Sequence, residues 1–423
     1  MHKIYTLYGF ELKKIFMRKI VWITLAVMIA LNIWIPFADL SSLSCEINGE
    51  DYTGYELMVI DRDAARRLSG KIIDNTLLHK MQESYHNKED TESGTTYETD
   101  RSTGFKSSVV SADAEESEGT DTQGNETDIK NTRKYAPLFT YITTFISDHD
   151  TALNVNAKEL YQERQHEVSQ CWNDQLLSED EISYWEKKEH QIEMPLTYEY
   201  TEGWSDLFKH ICPLNYMLLL LTAMCLSGVF SIEHLRKTDQ LILCSQHGKG
   251  PLYLAKILAG ITFAVVSALL LFLVSAGASL LIYGMDGFHA ALQLTFPLSS
   301  LPVSVGTAVM IVFITFLAAS VLYGIVTTFL SEWLKNSVAV MAILAGSMIF
   351  TMMIDIPYGL RTASQIYDLL PTTLLVNWQL WDDRLVSVFG IYLTNFQAAW
   401  GIYLITGTAL ILIGARIYGK AAR

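Results

Sequence analysis

Residues 257–282 read ILAGITFAVVSALLLFLVSAGASLLI, a run of 26 residues without a single Asp, Glu, Lys or Arg. An α-helix rises 1.5 Å per residue, so about 20 apolar residues cross about 30 Å of hydrocarbon. The other stretches that meet this condition are residues 20–38, 211–232, 301–330, 336–354 and 396–415. Six such segments predict six transmembrane helices.

The whole composition agrees with this prediction. Half of the 423 residues are apolar, 18% are charged, and the mean hydropathy is above zero. The apolar core of residues 20–38 is longer than that of a usual signal peptide, so we interpret it as a retained first span. We therefore expect an all-α polytopic membrane protein, with residues 211–423 as a five-helix transmembrane region.

The net charge of −14 is unevenly distributed along the chain. Residues 39–210 carry 36 acidic and 16 basic side chains, so this insert between the first two spans is strongly acidic. A phosphate backbone attracts the opposite charge, which excludes nucleic acid as a partner of the insert. Cys45 and Cys171 both lie in the insert, and the sequence leaves open whether they form a disulfide.

Basic residues near span ends tend to remain in the cytoplasm. The lysines and arginines that precede the first span, follow the second and end the chain then place both termini in the cytoplasm and the insert outside. Residues 1–19 carry apolar side chains at helical spacing with lysines on the other side, which predicts an amphipathic helix in the membrane interface. The apolar positions are Ile4, Leu7, Tyr8, Leu12 and Ile15.

We expect the extracellular insert to be mainly helical. Residues 61–85 have the pattern of an amphipathic helix interrupted by Gly70, and residues 135–191 are helical in pattern. The expected packing positions of the second stretch are Leu153, Leu160, Val168, Trp172, Leu176 and Leu177. Residues 87–130 are too polar to offset the entropy of ordering, so a disordered loop is expected there. Nearer the C-terminus, residues 356–395 contain Pro371 between apolar stretches and are interpreted as an outer re-entrant helical hairpin.

The sequence contains no pattern typical of a catalytic, metal or nucleotide site. No Gly-Lys pair has the flanking residues of a phosphate-binding loop, and H-E-x-x-H, G-x-S-x-G and C-x-x-C are absent. The predicted spans also lack the ionisable groups by which ion-coupled carriers bind their ion. We therefore expect neither an enzyme nor a cofactor in this chain, and the energy for any uphill transport must come from a partner.

Residues 233–250, between the second and third spans, form the internal cytoplasmic loop that is long enough to dock such a partner. Its pattern predicts a short amphipathic helix whose charges are exposed and contribute little to affinity. The candidate coupling residues are Glu233, Arg236, Lys237, Asp239, Leu241, Ile242 and Lys249.

Residues 230–258, FSIEHLRKTDQLILCSQHGKGPLYLAKIL, resemble the coupling segment of the ATP-binding-cassette (ABC) type 2 permease family. The family's acidic, leucine and lysine positions correspond to Glu233, Leu241, Leu243 and Lys256, whereas its glycine-threonine pair is replaced by Lys237-Thr238. Residues 330–336, LSEWLKN, resemble the family's second inside loop, so Glu332, Trp333 and Lys335 are candidate secondary contacts. Residues 54–78, GYELMVIDRDAARRLSGKIIDNTLL, resemble large inserts of permeases from Gram-positive bacteria.

This resemblance implies the permease subunit of an exporter of a peptide or an amphipathic compound. Its partners would be membrane lipid, cytoplasmic ATPase subunits that bind ATP and Mg²⁺, and a second copy or a related permease. A different class is a membrane sensor or mechanical relay, in which the insert binds a peptide without forming a conduit. An intramembrane enzyme and an ion-coupled carrier are disfavoured by the composition of the spans.

Overall fold

The computed structural model describes residues 2–47, 50–89, 97–98, 109–110, 124–237, 250–376, 380–388 and 390–421. It is mostly helical and divides into two compact units. The first unit comprises Met1–Ile33, His210–Ala276 and Met310–Arg423. The second comprises Trp34–Lys209 and Gly277–Val309.

The elements follow one another in this order. The α-helices are α1 His2–Phe16, α2 Lys19–Ser41, α3 Gly54–Arg66, α4 Asn75–Glu89, α5 Gly124–Thr143, α6 His149–Asn154, α7 Ala157–Asp174, α8 Glu179–Glu189, α9 Glu202–Leu226, α10 Gly228–Leu235, α11 Gly250–Tyr283, α12 Val305–Leu334, α13 Ser337–Met353, α14 Arg361–Asp368 and α15 Asn395–Ala421. The strands form antiparallel pairs: β1 Ser44–Ile47 with β2 Glu50–Thr53, β3 Lys71–Ile72 with β6 Thr197–Tyr198, β4 Tyr97–Glu98 with β5 Val109–Val110, and β7 Val386–Val388 with β8 Ile391–Leu393.

Five helices among the described residues are long and apolar enough to cross a membrane. They are Lys19–Ser41, Glu202–Leu235, Gly250–Tyr283, Val305–Leu334 and Asn395–Gly419. This finding confirms the prediction of a helical polytopic membrane protein. Helix α13 has only 17 residues, which rise about 25 Å and fall short of a typical hydrocarbon core. The sixth span therefore stays a prediction.

The helices extend beyond the apolar runs that revealed them. The second spanning helix ends at Leu235 and the third begins at Gly250, so Glu233 and Lys256 lie within spanning helices. Glu332 likewise belongs to the last turn of α12. The predicted apolar runs themselves carry no Asp, Glu, Lys or Arg, and the three charged residues lie in the helical turns just beyond them.

Small residues bring α11 and α12 close together in the first unit. A Cβ atom added to Gly324 would lie 3.1 Å from the Cβ of Ala264, and one added to Gly260 would lie 3.0 Å from Thr328. The Ser320 hydroxyl donates to the Ala264 carbonyl oxygen across 3.0 Å. Such close approach of two backbones is a principal source of helix association in lipid. On the other side of α12, a buried cluster joins it to α9 and α13 through Leu219, Ala223, Tyr323, Val340, Leu344 and Met348.

The apolar side of α1 packs on the protein itself. Ile15 is buried, the Tyr8 hydroxyl lies 2.9 Å from that of Thr262, and the ring of Phe16 lies 5.7 Å from that of Phe263. The other predicted apolar positions, Ile4, Leu7, Tyr8 and Leu12, are half-buried. The place of α1 in the membrane interface stays a prediction.

The second unit contains the helices of the insert and the connection between α11 and α12. Capping boxes begin α7 at Asn156 and Glu159 and α8 at Ser178 and Glu181, where side chains satisfy otherwise unpaired backbone groups. The stretch 61–85 is interrupted at Gly70, as predicted, but the interruption separates two different helices, α3 and α4. At Gly70, with φ of +81°, the chain turns into β3, and a new helix begins at Asn75.

The predicted packing residues of the insert are partly correct. Leu153, Leu160, Val168 and Trp172 are buried, but Leu176 is 56% exposed. Helix α7 ends at Asp174, and Leu176 adopts the left-handed conformation with φ of +55°. The helical spacing therefore no longer holds at this position. Cys171 is half-buried near the end of α7. The side chain of Cys45 lies outside the described residues, so its pairing with Cys171 stays an open question.

The stretch 87–130, predicted to be disordered, lies mostly outside the described residues. Its described parts are the last turn of α4, the pair of two-residue strands β4 and β5, and the beginning of α5. The prediction of disorder stays a prediction. In the predicted re-entrant segment 356–395, the described residues form the short helix α14 and the hairpin β7–β8. This β-hairpin was not predictable from the sequence pattern.

Candidate functional site

The coupling residue Glu233 is the centre of a buried ion network in the first unit. Its Oε2 accepts from the Nζ of Lys256 across 2.5 Å, and its Oε1 accepts from the Nζ of Lys14. Lys256 is fully buried and Glu233 is 9% exposed. The network therefore joins α1, α10 and α11 through a single carboxylate. We call Lys14, Glu233 and Lys256 the ion-paired root.

The charge of Lys256 has further partners. Its Nζ donates to the Val229 carbonyl oxygen across 3.1 Å and lies 4.7 Å from the centre of the Phe230 ring. A buried ammonium group is tolerated only when it is paired and hydrogen-bonded. Here the carboxylate, the carbonyl oxygen and the aromatic ring satisfy that condition together, which fixes the position of α10 against α11.

The break between α9 and α10 lies next to the root and is held by two side chains. The Ser331 hydroxyl donates to the Ser227 carbonyl oxygen across 2.6 Å and accepts from the Phe230 amide across 3.2 Å. Arg18 donates to the carbonyl oxygens of Cys225 and Gly228 across 3.3 and 3.5 Å. These bonds satisfy backbone groups that a helix break leaves without intrahelical partners. They also hold α12 next to α10.

The candidate coupling residues separate into buried and exposed groups. Glu233 is buried in the root and Glu332 is 6% exposed, so the expectation that the Glu233 charge is exposed is wrong. Its two lysine partners bury it. Arg236, Lys237 and Trp333 are exposed, and Lys335 is half-buried. Asp239, Leu241, Ile242 and Lys249 lie outside the described residues.

Apolar side chains are also exposed at this end of the helices. Leu235 is 79% exposed and Trp333 is 60% exposed. At Lys237, with φ of +53°, the chain leaves the helical conformation, and at Lys335, with φ of +54°, it turns from α12 into α13. We call Leu235, Arg236, Lys237 and Trp333 the exposed lip. The lip combines two apolar and two basic exposed side chains that follow Glu233 and Ser331 along the chain.

Most of the root was not predictable from the sequence. Lys256 stands out there only as the lysine position of the resemblance, and Lys14 only as one of the basic residues that precede the first span. Ser331 carried no signal at all. Glu233 and Lys256 are 23 positions apart and Lys14 and Glu233 are 219 apart, so no local periodicity links them. The only signal in the sequence is that Glu233 follows the second predicted span and Lys256 precedes the third, so that opposite charges stand at neighbouring span ends.

A second polar network lies in the same unit around Arg384. The guanidinium donates to Asp382 Oδ2 across 2.8 and 3.0 Å, to the Ser364 hydroxyl across 2.7 Å and to Asp368. It also lies 4.1 Å from the centre of the Tyr358 ring. Burial raises the pKa of Asp368 to about 6, although Arg384 opposes this shift. The network links α14 to residues 382–384. It pairs Arg384 with Asp368 and Asp382, so the charges that are buried here have partners.

In the second unit, Arg164 of α7 clamps the connection between α11 and α12. Its guanidinium pairs with Glu189 of α8 and donates to the carbonyl oxygens of Pro297 and Ser299 across 3.0 and 3.2 Å. Gln293 reinforces the same connection by donating to the Ser299 and Leu301 carbonyl oxygens. Arg164 is 1% exposed. The insert and the 277–309 connection are therefore one folded unit, which the sequence did not predict.

No protein-family model, curated protein or solved structure matches the chain. The class that the fold defines is a helical membrane protein. Its described residues include five helices long and apolar enough to span a bilayer, with helices of the insert between the first two.

Proposed function

We propose that this chain is the permease subunit of an ABC transporter of the bacterial cell membrane. In this proposal α13 is the sixth span, both termini are cytoplasmic, and the insert is extracellular. Separate cytoplasmic ATPase subunits bind ATP and Mg²⁺, and a second copy or a related permease completes the transporter. The observation that carries the proposal is the exposed lip beside the ion-paired root. The lip is a surface able to bind a partner, and the root joins the helices that a force on this surface would move.

The geometry suggests how force would enter the membrane. Residues 238–249 connect the lip to Gly250, and α10 and α11 are joined by the pair of Glu233 and Lys256. A push on this connection would therefore move both helices together. Lys14 adds α1 to the moving group, while Ser331 adds α12. Four elements would respond to one contact.

The lip is tested by truncating Leu235 and Trp333 to alanine in a tagged chain expressed in its native host. Both side chains are exposed, so the variant should fold and insert normally. Burial of a large apolar side chain in an interface is worth up to about 1.5–3 kcal/mol. Even partial burial predicts roughly tenfold weaker retention of the co-purifying ATPase activity.

Leu404 and Ile405 of α15 provide the matched control, because they are 73% and 71% exposed on the apolar surface of a spanning helix. Their double alanine variant should retain the ATPase. Two results would show that the lip is not the docking surface: an equal loss of ATP hydrolysis in both variants, or full retention of ATP hydrolysis in L235A/W333A.

The proposed substrate is a peptide or an amphipathic compound. The acidic insert would attract cationic molecules by long-range electrostatics and so raise their local concentration outside the cell. Exposed acidic side chains follow the outer surface of α7 and the first turn of α8, at Glu159, Glu163, Asp174, Glu179 and Asp180. Screening by salt should weaken this attraction, so transport that depends on it would slow at high ionic strength.

The second candidate is a sensor or relay without a conduit, and the Arg164 clamp favours it. A peptide bound to the insert could act on the connection between α11 and α12 through the hydrogen bonds to Pro297 and Ser299. The two functions differ in liposomes that contain the chain with its ATPase. ATP-dependent movement of a labelled cationic peptide supports the transporter, whereas peptide binding without movement supports the relay.

A further inference from the structure

Helix α1 has an outward surface that no other described residue covers. Tyr5, Phe10 and Met17 are 76%, 65% and 72% exposed, although the opposite side of the same helix is packed on α11. Tyr5 and Phe10 of α1 and Met17 of the turn that follows it are large apolar side chains that are costly to leave in water. This surface therefore requires a partner.

The basic side chains of α1 and of the residues just after it form two groups, one that faces the protein and one that is exposed. Lys14 and Arg18 face the protein, where they bind Glu233 and the carbonyl oxygens of the helix break. Glu11, the one acidic residue among the first 38, is 5% exposed. Lys13 and Lys19 are exposed on the outward side. We call Tyr5, Phe10, Lys13, Met17 and Lys19 the α1 outer face. It is apolar and cationic.

This face is continuous with the apolar surface of the first spanning helix. Trp22 and Ile23 of α2 are 57% and 63% exposed, and Val27 and Trp34 continue the exposed surface along the helix. The indole of Trp22 donates to the Phe16 carbonyl oxygen across 2.7 Å, which fixes the turn between α1 and α2. Because α2 is long and apolar enough to span, its exposed side chains contact lipid. The α1 outer face lies at the end of that surface.

We propose that the α1 outer face binds anionic phospholipids, with Phe10, Tyr5 and Met17 among the upper acyl chains and Lys13 and Lys19 on the phosphate groups. Aromatic side chains favour the headgroup layer, and a cationic side chain there favours an anionic lipid by about fivefold. The face is distinct from the exposed lip, so this inference does not depend on the proposed function. It assigns a lipid-selective surface to the helix that also supplies Lys14 to the root.

The test uses the full chain in nanodiscs, with a fluorescent NBD group on a cysteine introduced by F10C into a variant that lacks the native cysteines. The discs contain phosphatidylcholine alone or with phosphatidylglycerol, and either lipid is brominated in turn to quench the probe. In the mixed discs we expect blue-shifted emission and several-fold stronger quenching by the brominated anionic lipid, which 0.5 M salt should reduce.

Substitution of both outer lysines, K13Q/K19Q, should make the two quenchers equivalent while the emission stays blue-shifted. The matched control is K158Q/K187Q, which removes two exposed lysines from α7 and α8 and should keep the lipid preference. Emission typical of water in both kinds of disc would overturn the proposal. So would equal quenching in the parent protein, a preference that survives K13Q/K19Q, or shielding that appears only with a co-purified protein.

Discussion

The ion-paired root makes an asymmetric prediction about stability. Glu233→Gln leaves Lys256 buried and without its counter-charge, and breaking a buried pair in this way costs about 3–5 kcal/mol. Lys256→Met should cost less, since Glu233 keeps Lys14 as a partner and the substituted chain is apolar. Lys14→Gln should cost least, because the Lys14 side chain is 33% exposed and Glu233 keeps Lys256. The expected order of destabilisation is E233Q, then K256M, then K14Q.

Thermal unfolding of the purified chain can rank the three variants. Cys225 is buried with a free thiol, so a variant that keeps only this cysteine reports unfolding through a thiol-reactive dye. For a chain of 423 residues the midpoint shifts by roughly 1 °C per kcal/mol, so E233Q should lower it by roughly 3–5 °C. The double variant E233L/K256M should recover much of this loss, because an apolar pair leaves no buried charge. Equal shifts for E233Q and K14Q, or no recovery in the double variant, would refute the buried network.

Four further predictions concern separate parts of the chain. Leu176→Gly should raise stability by about 0.5–1 kcal/mol in thermal unfolding, because glycine adopts φ of +55° without strain and little buried surface is lost; destabilisation would contradict the assigned conformation. Gly324→Leu should disrupt the packing of α11 and α12 and lower the yield of folded protein, whereas Gly346→Leu should not, since a Cβ there meets nothing within 4 Å. The pKa of Asp368 is raised from 3.8 to about 6 in the folded protein. Protonated Asp368 therefore contributes to stability fully below about pH 4, and this contribution is lost as the pH rises to about 6. Asp368→Asn should remove this loss from the pH dependence of the unfolding midpoint. Arg164→Met should increase hydrogen exchange at residues 292–301 but leave it unchanged within α14; unchanged exchange at 292–301 would show that the clamp is not what orders them.

Five spanning helices were predictable because each is encoded by a continuous apolar run. Their ends were not, since Glu233, Lys256 and Glu332 interrupt the pattern although the helices continue. Charged residues at span ends look alike in a sequence, whether they face water or form a buried pair. The structure separates Arg236 and Lys237, which are exposed, from Glu233, which is not.

The helical character of the insert was predictable from the sequence, but its attachment to residues 277–309 was not. Helical periodicity identified four of the packing positions of α6 and α7, and failed at Leu176 because a single left-handed residue ends the pattern. The Arg164 clamp joins residues 133 and 135 positions apart. Because its partners are backbone carbonyl oxygens, no residue type marks them in the sequence. For the same reason the unit formed by the insert and residues 277–309 could be found only in three dimensions.

The central claim is that the energy for this membrane protein comes from a separate ATPase. The most direct measurement is ATP hydrolysis by the tagged chain purified from its host in mild detergent, before and after a wash that removes bound subunits. We predict vanadate-sensitive hydrolysis in the first sample, none in the second, and recovery when the washed-off fraction is added back. Hydrolysis that remains with the washed chain, or its absence from the unwashed complex, would contradict the assignment as an ABC permease.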